Sequence, residues 1–259
     1  MKNLKLAAVC LSCLTMTGCS ALNFSVEGLI NAPKLTSEQS EIHQALIESV
    51  GSNITLKYPK NGEYRSAYVI ANIDDEPTDE AMVFYEYTSN GSEEDGLRVN
   101  ILDKDEDGKW YSVKELAGAG TDIDQVIISP MGSNNQTDVF VGYQNLTNDE
   151  KTMEIYSYTD GDFKRVALDT YSVLEPLDIN NDGYIELITI QRSTNNDTGA
   201  VTAKASMLNM KNNEITRGEN VDMCDNVTSY VSSKTGMLDS GRRAIFIDGL
   251  TADGNCRRR

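Results

Sequence analysis

The chain has 259 residues, with 23 Lys and Arg against 40 Asp and Glu, and a formal charge of −17 at neutral pH. Such a charge excludes recruitment to nucleic acid or to an anionic lipid surface by electrostatic attraction. The hydrophobic content of 39% is that of a globular chain rather than a disordered one, and the length fits one large all-β domain or two smaller ones.

Residues 1–18 carry Lys2 and Lys5 and then an apolar run, Leu6–Leu14, that is too short for a stable membrane span. They read as a secretory signal peptide. The run ends in LTMTGCS, with Gly18 before Cys19. This resembles the lipobox of bacterial lipoproteins, with Met16 where that motif usually has Leu. The resemblance implies that Cys19 becomes the lipidated first residue of the mature chain. The protein would then sit on the extracytoplasmic face of the cell membrane through a lipid anchor, with no transmembrane helix. Loss of residues 1–18 removes two lysines and no acid, taking the charge from −17 to −19. Cys10 and Cys13 leave with the signal, so Cys224 and Cys256 remain. An exported location permits a disulfide between them, and their spacing does not demand one. Together with the single histidine, His43, they do not make a zinc site. His43 reads as a surface helix residue rather than a catalytic base.

A polar tether, 19–35, leads into a predicted amphipathic helix over 36–51. Thr36 is its N-cap and Gln39 completes a capping box. Ile42, Ala45, Leu46 and Val50 form the apolar face, and Gly51 is the stop.

Residues 60–259 read as a repeat β domain. The segments 67–87, 125–145 and 172–192 each hold an apolar strand, a polar loop and a second apolar strand. A hairpin follows each, turning at Asp107-Gly108, near Asp160-Gly161 and near Asn212-Asn213. Glu80, Asp138 and Glu186 fall at equivalent positions, 58 and 48 residues apart. A fourth unit begins at 229–250 and ends in TADGNCRRR, which reads as lacking a second hairpin. About three and a half four-stranded units predict an all-β, β-propeller-like array of blades with one N-terminal helix. Either the chain is a shortened version of a longer protein, or its units stack in an open arrangement.

The loop DINNDGYIEL, 178–187, sets oxygen ligands on alternating positions. Asp178, Asn180 and Asp182 would offer side-chain oxygens, Tyr184 its carbonyl, and Glu186 the closing carboxylate, with Gly183 permitting the bend. That is calcium chemistry. An EF-hand would need an acid at loop position twelve between two helices, and here that position is Thr189 in a strand. The pattern instead resembles the FG-GAP or VCBS-type repeat, whose DxDxDGxxE/D loop joins the first two strands of a propeller blade. With its lipobox and helix, the chain looks like the VCBS-repeat lipoproteins of Clostridia-type bacteria. A weaker match lies at 72–80, where Asn72, Asp74, Glu76 and Glu80 align but Pro77 replaces the glycine. At 130–138 only Asn134 and Asp138 keep suitable oxygens. The DKDEDG run, 103–108, brings Tyr111 and Lys114 to positions nine and twelve, and reads as a charged hairpin tip.

No G-x-S-x-G, P-loop, G-x-G-x-x-G or H-E-x-x-H occurs. Gly118 and Gly120 make no phosphate cradle, and no catalytic residue is assigned. Trp110, Tyr111, Tyr85, Tyr87 and Tyr143 are scattered, which favours packing over a sugar-stacking platform. The leading expectation is a non-enzymatic, calcium-stabilised envelope lipoprotein that displays its β domain to a protein or glycan. The alternatives are an envelope carbohydrate-active enzyme and an inactive, truncated paralogue.

Overall fold

The computed structural model describes residues 35–88, 96–131, 136–145, 150–179, 181–199, 201–211, 214–222, 227–241, 243–251 and 254–258. The chain divides into two compact units, 1–38 and 39–259. The signal, Cys19, most of the tether and Cys224 lie outside the described residues. Among the described residues, no helix is long and apolar enough to cross a membrane.

Helix α1 (Ser37–Val50) ends where the N–H of Gly51 reaches the carbonyl of Ile47 at 2.9 Å. The rest is β, in four antiparallel sheets. Sheet 1 holds β1 (Ile54–Leu56), β2 (Tyr68–Ala71), β3 (Glu80–Tyr87), β4 (Leu97–Lys104) and β5 (Trp110–Ala117). Here β1 and β2 share one edge of β3, pairing with its end and its beginning respectively. Sheet 2 is the meander β6 (Asp122–Ser129), β7 (Asp138–Gln144), β8 (Lys151–Thr159) and β9 (Asp162–Tyr171). Asp160 and Gly161, at φ 55° and 74°, make its two-residue hairpin between Thr159 and Asp162.

Sheet 3 runs β10 (Val173–Leu177), β11 (Glu186–Thr194) and β12 (Val201–Lys211). Two short strands, β13 (Glu214–Arg217) and β14 (Val221–Asp222), share its far edge. Sheet 4 has three strands, β15 (Val227–Met237), β16 (Arg243–Thr251) and β17 (Gly254–Arg258). The last strand corrects the reading of the tail. Residues 254–258 pair with 247–251, directly after the Asp253-Gly254 dipeptide, itself a hairpin signal.

Strand alternation sends successive side chains to opposite faces and so links the sheets in series. Ala81, Val83 and Tyr85 of β3 pack with Ile42, Ala45 and Leu46 of α1. Met82 and Phe84, on the other face, pack with Val139, Val141 and Tyr143 of sheet 2. Phe140, Met153 and Ile155 then meet Leu187, Leu208 and Met210 of sheet 3. The helix thus covers the outer face of sheet 1. Burying Ile42 and Leu46, each fully inaccessible, contributes about 2 kcal/mol apiece.

Candidate functional site

The loops 72–80, 130–138 and 178–186 lead into β3, β7 and β11, joining each to the strand before it, β2, β6 and β10. Each is closed by one bond. The carboxylate that opens the second strand accepts the backbone N–H seven residues earlier. Glu80 Oε2 takes Ile73 N–H at 2.8 Å, Asp138 Oδ2 takes Met131 N–H at 3.0 Å, and Glu186 Oε2 takes Ile179 N–H at 2.9 Å. This threefold bond is why an acid recurs at these positions: a loop amide left unbonded near the core would cost free energy.

The loop interiors differ. In 178–186, Asp178 gathers three backbone donors: Asn181 at 2.6 Å and Asp182 at 3.1 Å on Oδ1, and Gly183 at 3.0 Å on Oδ2. Asp182 Oδ1 accepts Tyr184 N–H at 2.9 Å. Asn181 and Gly183 adopt φ of 68° and 90°. A Cβ at 183 would meet empty space, so glycine serves there for its backbone conformation alone. Asn180 lies outside the described residues. The donor set is the hard-oxygen chemistry that calcium takes. Among the described residues, however, no three His, Cys, Asp or Glu side chains converge as metal ligands would. To hold an ion, Asp178, Asp182 and Glu186 must draw together around it.

In 72–80 the Asn72 amide donates to the carbonyls of Glu76 at 2.5 Å and Thr78 at 3.0 Å, and Asp74 Oδ1 accepts Glu76 N–H at 2.7 Å. The amide nitrogen thus takes the loop carbonyls that a cation would use. Glu80 is 3% exposed, and its Oε1 has no partner among the described residues. Burial, with the charges of Asp74 and Asp103 added, pushes its carboxyl up to about 7 against the Ile73 N–H bond. In sheet 2, Ser157 Oγ donates to Asp138 Oδ1, so a hydroxyl locks that loop. Asn134 lies outside the described residues.

At 103–108, Asp105 Oδ1 accepts the N–H of Asp107 and of Lys109 at 3.0 and 2.8 Å, closing a hairpin tip as read. His43 binds the Tyr68 hydroxyl through Nδ1 at 2.8 Å and ties α1 to β2. Trp110, Tyr85 and Tyr143 are buried, and the Tyr85 and Tyr87 hydroxyls both donate to Glu115.

The sequence reading did not find a second polar centre. Asp124 is the extra residue of a β-bulge in β6, between the pairs Ile123–Tyr143 and Gln125–Gly142. It is buried, yet three donors surround it: Lys151 Nζ and Asn61 Nδ2 on Oδ1, each at 2.8 Å, and the Tyr171 hydroxyl on Oδ2 at 2.7 Å. Burial, then the Asp124 charge, holds the Tyr171 phenol far above its ordinary range. Gly142 makes the reach possible, because the Tyr171 hydroxyl occupies the place of a Cβ at that position. Asp124 and Lys151 line a cleft of about 640 Å³ between segment 61–64, β6 and β10. With both oxygens bonded, Asp124 is a structural anion rather than a general base.

No family model matches the chain, and no curated protein matches it.

Proposed function

We propose that this chain is a non-enzymatic, lipid-anchored protein of the bacterial envelope whose β domain is a propeller-like array of VCBS or FG-GAP-type repeats. The carrying observation is the threefold closing bond, 80 to 73, 138 to 131 and 186 to 179, at one place in three successive sheets. A repeat with one conserved backbone device and variable loop interiors is a display scaffold, in which function resides in the loops and clefts. The helix on the outer face of sheet 1 supports an open array over a closed ring. Calcium at 178–186, held by Asp178, Asn180, Asp182, the Tyr184 carbonyl and Glu186, stabilises a loop that carries three carboxylates. The 640 Å³ cleft, within the usual size range of ligand pockets, is the seat for a protein or glycan.

Thermal melting of the full chain against calcium tests the metal. At a hundredfold excess over Kd the gain is about 2.7 kcal/mol, and Asp178→Ala and Glu186→Ala abolish it. A wild type whose melting ignores calcium removes the ion from the proposal. A glycan array, followed by a search for turnover of any bound sugar, separates display from catalysis.

A further inference from the structure

The cleft of about 640 Å³ holds one side chain that the fold leaves unused. Gln125 follows the bulge of β6 and stands opposite Gly142 of β7. It is 8% exposed and lines the cleft. Its amide, with two donors and an acceptor, has no hydrogen-bond partner among the described residues. Asn100 also has an unbonded amide, but both of its polar atoms are sealed from solvent. The Gln125 amide is instead open to the cleft. Gly62, at φ 80°, keeps it so, since a Cβ there would lie 3.3 Å from Gln125 Cβ and 3.5 Å from its Oε1. An amide taken out of bulk water and left unbonded costs stability. No side chain of the fold offsets that cost, so the offsetting partner enters from the cleft.

The surroundings set the chemistry of that partner. Asp124 and Lys151 neutralise each other at 2.8 Å. Glu63 and Glu175 have no cation against them among the described residues, so the cleft repels anions. Both carboxylates are acceptors, and Tyr64 adds a half-buried ring with an unbonded hydroxyl. Ile128, Leu174 and Pro176 supply an apolar wall. A peptide brings one backbone N–H per residue to such acceptors, whereas a sugar ring brings several hydroxyls. The Gln125 amide, donor and acceptor in one group, is matched by another amide. An N-acetylated sugar carries both features, with a methyl for the apolar wall and no charge.

We infer that this cleft binds a neutral N-acetylhexosamine glycan, its acetamido group paired with the Gln125 amide and its hydroxyls donated to Glu63 and Glu175. The inference rests on the reading of the cleft as a ligand seat, and narrows that seat from protein or glycan to one class of glycan. It is independent of calcium.

Calorimetric titration of the full chain with three probes tests it. Triacetylchitotriose carries acetamides and hydroxyls, cellotriose hydroxyls alone, and N-acetyl-trialanine amide amides alone. The expected result is saturable chitotriose binding, with both other probes at least about tenfold weaker. Gln125→Met, close in size, removes the amide without stranding a partner. It should bind chitotriose at least about tenfold more weakly and melt no lower than wild type. Ser129→Trp, which fills the cleft from β6, should abolish binding and serves equally if Gln125→Met fails to fold. Absence of saturable chitotriose binding, equal binding of cellotriose or of the peptide, binding unchanged in either variant, or a lower melting temperature in a folded Gln125→Met would each overturn the inference. The wider reading is judged separately: any array glycan or protein whose binding Ser129→Trp abolishes keeps the cleft as a seat, and ligands indifferent to Ser129→Trp remove it.

Discussion

The loops 72–80 and 178–186 occupy the same place in sheets 1 and 3 and share one closing bond, yet their interiors are filled by opposite means. In the first, a neutral amide, Asn72, spans the loop as a donor and leaves Glu80 buried beneath it. In the second, a carboxylate, Asp178, collects three amides as an acceptor, and Glu186 stays half-buried. One backbone device can therefore carry either a loop crosslinked by a side-chain donor or one crosslinked by a side-chain acceptor. The closing acid belongs to the fold, and the first loop residue decides what the loop does.

The sharpest break in that comparison lies in the sheet 2 loop. Asp138, 1% exposed, holds both Met131 N–H and Ser157 Oγ. Asp138→Ala strands both donors and is expected to cost about 3 kcal/mol in urea unfolding. A smaller loss would show that the closing bond is dispensable. Glu80 carries the next effect. Its folded carboxyl is raised from 4.5 to about 7. The folded state therefore holds a proton that the unfolded state has released, and stability falls as pH rises from about 4.5 to 7, then levels off. Wild type should lose roughly 2–3 kcal/mol across that window through this group. Glu80→Gln should flatten the profile and be the more stable protein at about pH 8, as followed by denaturant midpoints. The smallest effect is that of Gly183→Ala, about 1 kcal/mol from the strained φ of 90°, read as a modest fall in melting temperature.

The features legible in the sequence were local ones. The helix face of Ile42, Ala45 and Leu46, the Asp160-Gly161 turn and the equivalence of Glu80, Asp138 and Glu186 all repeat within short windows. The Asp124 centre did not. Its partners Lys151, Tyr171 and Asn61 stand 27, 47 and 63 residues away, and an aspartate in a strand such as DIDQVIIS reads as an outward polar position. Only the bulge turns it inward. Glu80 was legible as a loop acid but not as a buried one, because the cavity it lines is completed by hairpins at 103–114 and 158–163 that are remote in sequence. The tail strand was missed because five residues ending in two arginines carry no apolar alternation, and register with β16 supplies the pairing instead.

The placement of α1 also bears on how such an array lengthens. Duplicated units can join a stack only where an apolar sheet face is free to receive them. With Ile42 and Leu46 seated on Ala81, Val83 and Tyr85, that face of the first unit is closed to newcomers. A further sheet stacked on sheet 1 must therefore use its other face, the one that Met82 and Phe84 present to sheet 2.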